Sequence, residues 1–342
     1  MYSFENDYSE GACKQVLDYL IEHNDIQSSG YGLDEYCNQA SLLIKKEIAR
    51  DDVDIHFITG GTPCNVLAIN LLKPYEAVIC VESGHINVHE TGAVEATGHK
   101  IIPTKGKDGK ILIEEIEKVI LSHQDEHMVK PRMVFISNAT EYGTIYTKQE
   151  LIDIADVCKK YNLYLYLDGA RIGNALMAKN NDLDLKTIAQ YVDIFYIGGT
   201  KNGALLGEAM VIISNDLKEN FRYYMKRNCA MLAKSKIIGQ QFISLFTDSI
   251  YYKNAANANQ MAQALKDIFL QNNIEMYIDS PTNQIFPIIE NELLKKIKQE
   301  YQILEWGPYD DQHTIVRFVC SWATKEDIID KFKNDLILLK QA

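Results

Sequence analysis

No pair of cysteines in this chain sits at C-x-x-C spacing. Its seven cysteines, Cys13, Cys37, Cys64, Cys80, Cys158, Cys229 and Cys320, are scattered over 342 residues. An odd, widely spaced set in a chain of this length argues against a disulfide scaffold and reads as reduced thiols, so a cytoplasmic location is expected. No metal site is expected either. The opening Met1-Tyr2-Ser3-Phe4-Glu5-Asn6-Asp7 lacks a basic n-region and an apolar h-region, so it does not read as a signal peptide. No apolar run is long enough to cross a bilayer, which removes the membrane as an expected partner. Basic residues are in deficit: Lys and Arg number 35 against 47 Asp and Glu, for a formal charge of −12. Without a dense basic stripe there is no footprint for nucleic acid. Disorder is excluded by 46% hydrophobic and 24% charged residues.

What the sequence does contain is an alternation of short apolar runs with amphipathic stretches. The runs Ile55–Thr59, Ala77–Val81, Lys100–Pro103, Met133–Ser137, Leu163–Leu167, Ile194–Ile197 and Met210–Ile213 read as strands. The clearest helix begins at a capping box, Thr147-Lys148-Gln149-Glu150, with Leu151, Ile154, Ala155 and Cys158 recurring on one face. Strands alternating with helices imply crossover connections and an α/β fold, its mainly parallel sheet covered by helices on both faces. After about Phe246 the pattern changes. A helical stretch Tyr251–Leu270, an apolar run Gln284–Ile289, a further run Ile315–Cys320 and a last helix opened by Thr324 suggest a smaller α+β unit. The expected division is an N-terminal arm over 1–45, a large domain over 46–246 and a small C-terminal domain over 247–342, since so long a chain is unlikely to share one small core.

Four segments carry chemistry. Leu167-Asp168-Gly169-Ala170-Arg171 ends an apolar strand in a carboxylate and a guanidinium. Ligands of open α/β sheets sit beyond such strand ends. A carboxylate there can hold the proton of a pyridinium nitrogen and make the ring an electron sink. By itself the segment serves equally well as a turn cap with a surface ion pair. Ile197-Gly198-Gly199-Thr200-Lys201 follows the next strand, and its turn can project the amine into the same crevice. Burial and neighbouring charge would lower the lysine pKa and free it as a nucleophile; taken alone, a lysine in a polar turn is usually solvated. Gly60-Gly61-Thr62-Pro63-Cys64-Asn65 lies between a strand and a helix, where small residues and a helix N-terminus suit a phosphate. Glu82-Ser83-Gly84-His85 puts an imidazole at another strand end, suited to stacking on a ring or relaying a proton, or to an ordinary loop hydrogen bond.

Together, these segments resemble the threonine aldolase and β-eliminating lyase family of pyridoxal 5′-phosphate (PLP) enzymes, whose fold is of the aspartate-aminotransferase type (fold type I). The likeness runs from about Asn6 to Arg317. It implies that Lys201 is the Schiff-base lysine, Asp168 the pyridinium partner and His85 the ring-stacking histidine. Gly61, Thr62 and Asn65 match the phosphate loop, and Thr200 precedes the lysine in the cofactor-binding set. Arg171 matches the D-G-A-R arginine that helps bind substrate carboxylate, and Arg317 a second such arginine. Asn6 stands where the family has a serine near the substrate, and His127 matches a second histidine near the substrate side chain. Gly30-Tyr31-Gly32-Leu33-Asp34 resembles a segment that reaches a neighbouring subunit's site, which implies a homodimer or homotetramer with Tyr31 in a shared site. The sequence departs from the family at Asn6, at Thr140-Glu141-Tyr142 in place of Thr-His-Asn, and at Asn202-Gly203-Ala204-Leu205-Leu206 after the lysine. The implied function is PLP-dependent cleavage of a β-hydroxy-α-amino acid to glycine and an aldehyde, with His85, His127 or Glu141 as the base. β-Elimination, transamination or racemisation of another amino acid, and a non-catalytic binding module, are the alternatives.

Overall fold

The computed structural model describes residues 1–341. The seven expected strands form one sheet. Its order is Asp54–Ile58, Glu208–Ile212, Ile194–Gly198, Tyr164–Asp168, Lys130–Ser137, Glu76–Val81, Lys100–Thr104. Every pairing is parallel except those of Glu208–Ile212, which runs antiparallel to both neighbours. The strands Glu76–Val81, Ile194–Gly198 and Glu208–Ile212 are buried from end to end, as helices on both faces require. Side chains alternate between two cores: Ala77, Ile79, Val81, Leu165, Leu167, Phe195 and Ile197 enter one, and Val78, Cys80, Tyr166, Ile194 and Tyr196 the other. The capping box forms as read, with Thr147 Oγ1 accepting from the Glu150 amide at 3.2 Å and Glu150 accepting from the Thr147 amide at 2.8 Å.

A third core lies between the helices Ile250–Gln271 and Glu326–Gln341 and a four-stranded antiparallel sheet, with Phe269, Phe318 and Phe332 packed edge to face. The apolar run Gln284–Ile289 is two short strands, Gln284–Ile285 and Ile288–Glu290, rather than one. Pro287 sits between them and has no N–H for the ladder. The chain's first residues belong spatially with this C-terminal layer: Tyr2–Ser3 pairs with Tyr301–Gln302, Phe4 is fully buried in the third core, and the Val319 amide donates to the Phe4 carbonyl at 2.8 Å. The helices Lys14–Glu22 and Glu35–Ile48 instead pack on Lys236–Phe246 beside the large sheet. The extreme N-terminus therefore delivers Asp7 to the space between the layers. Among the described residues no helix is long and apolar enough to cross a membrane.

Candidate active site

The carboxyl ends of the parallel strands converge on Asp168. Its strand is in register with the next, Ser137 opposite Asp168, and the turn that follows is tight. A Cβ on Gly169 would lie 1.8 Å from the Tyr196 carbonyl oxygen, so only glycine lets the two strand ends approach. Asp168 is buried and held by three donors: Tyr196 Oη at 2.5 Å and the Ala170 amide at 3.0 Å on Oδ1, and Asn65 Nδ2 at 3.1 Å on Oδ2. Such a carboxylate is fixed in direction, as a partner for a ring nitrogen must be.

Lys201 projects from the turn after Ile194–Gly198. Glu208, on the antiparallel strand, pins that turn by accepting from the Gly199 amide at 2.6 Å and the Thr200 amide at 3.4 Å. Thr200 Oγ1 accepts from the Gly207 amide at 3.0 Å, so its hydroxyl oxygen ties the turn to the next strand. A Cβ on Gly199 would stand 2.6 Å from the Gly207 carbonyl oxygen, which is why this position is glycine. Burial lowers the Lys201 pKa and the Arg171 charge lowers it further, while Asp7, Asp168 and Glu208 partly oppose this. Burial pushes Glu208 up to about 7, against its hydrogen bonds from Thr200 and Gly199 and the charge of Lys201. Its role in this turn was not foreseen from the sequence; a glutamate closing a Gly-Gly-Thr-Lys turn from the following strand was the available signal.

His85 begins a single helical turn just beyond Glu76–Val81. Its Nδ1 lies 2.8 Å from Glu90 Oε1, and its backbone amide donates to Glu141 Oε1 at 2.9 Å. The same Glu141 oxygen accepts from Ser137 Oγ at 2.8 Å, while Oε2 is buried without a partner. Burial raises the Glu141 pKa, more than the bond from Ser137 lowers it. Glu141 thus anchors the main chain that carries the imidazole.

Two arginines enter from opposite layers. Arg171 donates through Nε and Nη2 to the two oxygens of Asp7, at 2.7 and 3.0 Å. Asn283 Nδ2 adds a bond to Asp7 at 2.9 Å. Burial would raise the Asp7 pKa, but Arg171 and Lys201 with these hydrogen bonds hold it below the ordinary carboxylate value. Arg317 stands over the Trp306 ring at 5.5 Å and donates to the Glu5 carbonyl, with its buried Nε unpartnered. Burial and the Arg171 charge push its pKa down to about 10, which leaves it a cation at neutral pH. It is Asp7, next to the expected Asn6, that meets Arg171. Asn6 Oδ1 instead accepts from the Tyr8 amide and Ser9 Oγ, both at 2.9 Å, and shapes the loop.

Three of the expected site residues stand apart from this chain's own Asp168–Lys201 cluster or are committed to other partners. Asn65 was assigned to the phosphate loop. Its buried side chain is committed elsewhere, to Asp168, to Glu90 at 2.7 Å and to the Tyr166 hydroxyl at 2.6 Å. The backbone amides of Gly61 and Thr62, in the first turn of the helix Gly61–Ile69, are the donors that remain there. His127 lies three residues before the start of the strand Lys130–Ser137, whose other end meets Asp168. A strand of that length spans about 25 Å, so within this chain the exposed imidazole is at the far edge of the sheet. Tyr31 is 43% exposed and lies in a different cavity, near Arg222 and under Lys226 Nζ at 4.7 Å.

A fixed anionic acceptor, a primary amine with lowered pKa, amides at a helix N-terminus and an imidazole are the groups that a pyridine ring bearing a phosphate and an aldehyde requires. Unpartnered buried atoms of Arg317, Glu90 and Glu141 belong to the same set.

The β-eliminating lyase family matches residues 29–289. The low specificity L-threonine aldolase of Pseudomonas sp. (strain NCIMB 10558) is 30% identical over 347 residues, covering 99% of this chain and 98% of the relative. The structure of Leishmania major threonine aldolase is 43% identical, superposes with a TM-score of 0.97 and covers 100% of this chain and 99% of its own. Aspartate aminotransferase of Thermus thermophilus, 10% identical with a TM-score of 0.71 over 98% of this chain and 90% of its own, shares the fold alone. The chain belongs to the β-eliminating lyase family.

Proposed function

We propose that this chain is a PLP-dependent aldehyde-lyase that cleaves a β-hydroxy-α-amino acid to glycine and an aldehyde, as its threonine aldolase relatives are named for doing. Membership of the family implies dependence on PLP. The observation that carries the reading is the gathering of Lys201, Asp168 and His85 beyond the carboxyl ends of strands of one sheet, with Arg171 and Arg317 beside them.

Lys201 would hold the cofactor's aldehyde, Asp168 its ring nitrogen and the Gly61 and Thr62 amides its phosphate. When bound, that ring supplies a sink for the electron pair left at Cα. The remaining work falls to the chain. Arg317, and the edge of Arg171 that Asp7 leaves free, would hold the substrate carboxylate and so orient the bonds at Cα. His85 would accept the β-hydroxyl proton as the Cα–Cβ bond breaks. Glu141 holds the His85 backbone in place. Tyr31 lies outside this chain's own site, in keeping with a homodimer or homotetramer in which it serves a neighbour.

The deciding experiment incubates the PLP-loaded protein with a panel of amino acids and scores aldehyde, pyruvate with ammonia, and racemised product. Aldehyde and glycine from threonine or allo-threonine are expected; elimination without any aldol cleavage replaces this reading with that of a β-eliminating lyase. Borohydride reduction followed by peptide mapping is expected to label Lys201, and label on another lysine overturns the assignment.

A further inference from the structure

One buried carboxylate beside the site has no part in the chemistry above. The Glu90 side chain is fully shielded from solvent. Its Oε1 accepts from Asn65 Nδ2 at 2.7 Å and lies 2.8 Å from His85 Nδ1, while Oε2 has no partner. Asn65 cannot turn over to relieve this, because its Oδ1 already accepts from the Tyr166 hydroxyl at 2.6 Å. Its amide nitrogen therefore faces two carboxylates, Glu90 and Asp168. A carboxylate oxygen facing Nδ1 favours the tautomer that carries the ring proton on Nδ1. That leaves Nε2 as the imidazole nitrogen available to a proton from outside.

We propose that Glu90 is a positioning residue, which through one oxygen sets the tautomer and plane of the His85 ring. The proposal rests on the reading above that His85 and Asp168 serve one cofactor ring. Two carboxylates around a single amide, one with an unmet oxygen, cost stability, and a purely structural site would have no need of them. Glu141 does not duplicate the role: its contact is with the His85 backbone and leaves the ring free to turn.

The test uses the full chain loaded with PLP and labelled with ¹⁵N-histidine, with His85→Asn to assign the signal. Wild type is expected to show a protonated Nδ1 at His85. Glu90→Gln is expected to keep that tautomer, because an amide oxygen can accept both bonds. Glu90→Ala is expected to give mixed tautomers and to lower kcat for aldol cleavage roughly 10- to 100-fold, a part of what a well-placed acid–base group contributes. KM and the exchange of the glycine α-proton in D₂O should change little. An unprotonated Nδ1 in wild type, an unchanged tautomer in Glu90→Ala, or equal losses of cleavage and exchange overturns the proposal. Where Glu90→Ala fails to fold, the wild-type and Glu90→Gln spectra decide. Absence of aldol cleavage in wild type would sink the aldolase reading alone, since the nitrogen spectra judge Glu90 without it.

Discussion

Arg171 and Asp7 form a two-pronged ion pair across 164 residues of sequence, Nε to Oδ2 at 2.7 Å and Nη2 to Oδ1 at 3.0 Å, with the aspartate fully buried. This pair ties the chain's first residues to the strand-end turn of the large sheet. Removing one member of a buried pair leaves the other charged and unmet, at a cost of about 3–5 kcal/mol. Asp7→Ala is therefore expected to lower the urea midpoint substantially and to raise KM for every substrate by loosening Arg171. The pKa of Asp7 is depressed in the fold, so its stabilisation is complete above the unfolded value near 3.8 and fades as pH falls through the folded one. An Asp7→Ala protein as stable as wild type at neutral pH would show that the pair contributes nothing net.

Asp168→Asn is expected to retain PLP yet turn over slowly. A neutral amide cannot hold the ring-nitrogen proton, and losing one charge-assisted contact in a dry site is worth about 2–4 kcal/mol of barrier, or tens to hundreds of fold in rate. The absorbance of bound cofactor and kcat together check this. Unchanged turnover would reduce Asp168 to a turn residue.

Glu208 predicts a pH dependence of stability. Its pKa rises from 4.5 to about 7 on burial, so the folded state binds the proton more tightly than the unfolded one between those values. Stability from this group is thus present in full below pH 4.5 and is lost as pH rises through about 7. Glu208→Gln, whose amide oxygen can still accept from Gly199, is expected to lose this component. The melting temperatures of the two proteins, measured from pH 5 to 8, should diverge upward in favour of the variant. Parallel curves would contradict the assignment.

The histidines separate by place. His85→Asn is expected to reduce aldol cleavage more than glycine α-proton exchange, because only cleavage needs a base at the β-hydroxyl. His127→Asn is expected to leave cleavage unchanged, as its imidazole lies at the opposite sheet edge of this chain. Equal losses in both variants would place His127 in a neighbouring subunit's site.

Local pattern alone determined the seven strands, the capping box at Thr147 and the two strand-end turns that carry Asp168 and Lys201. Each is a matter of period, turn chemistry or burial on both faces, and those are written in neighbouring residues. A period of two also sorted side chains such as Leu165 and Tyr166 to opposite cores. Only the tertiary structure decided the contacts between distant segments. Nothing near Asp7 in the chain announces Arg171, and nothing near Asn65 announces Asp168 or Glu90. Such pairs depend on which strand ends become neighbours and on the docking of the N-terminal strand against Tyr301–Gln302. The position of His127 shows the same limit. Motif spacing places a residue along the chain, whereas the direction of a parallel strand decides which edge of the sheet it occupies, and that direction is set by pairing with strands far away in sequence.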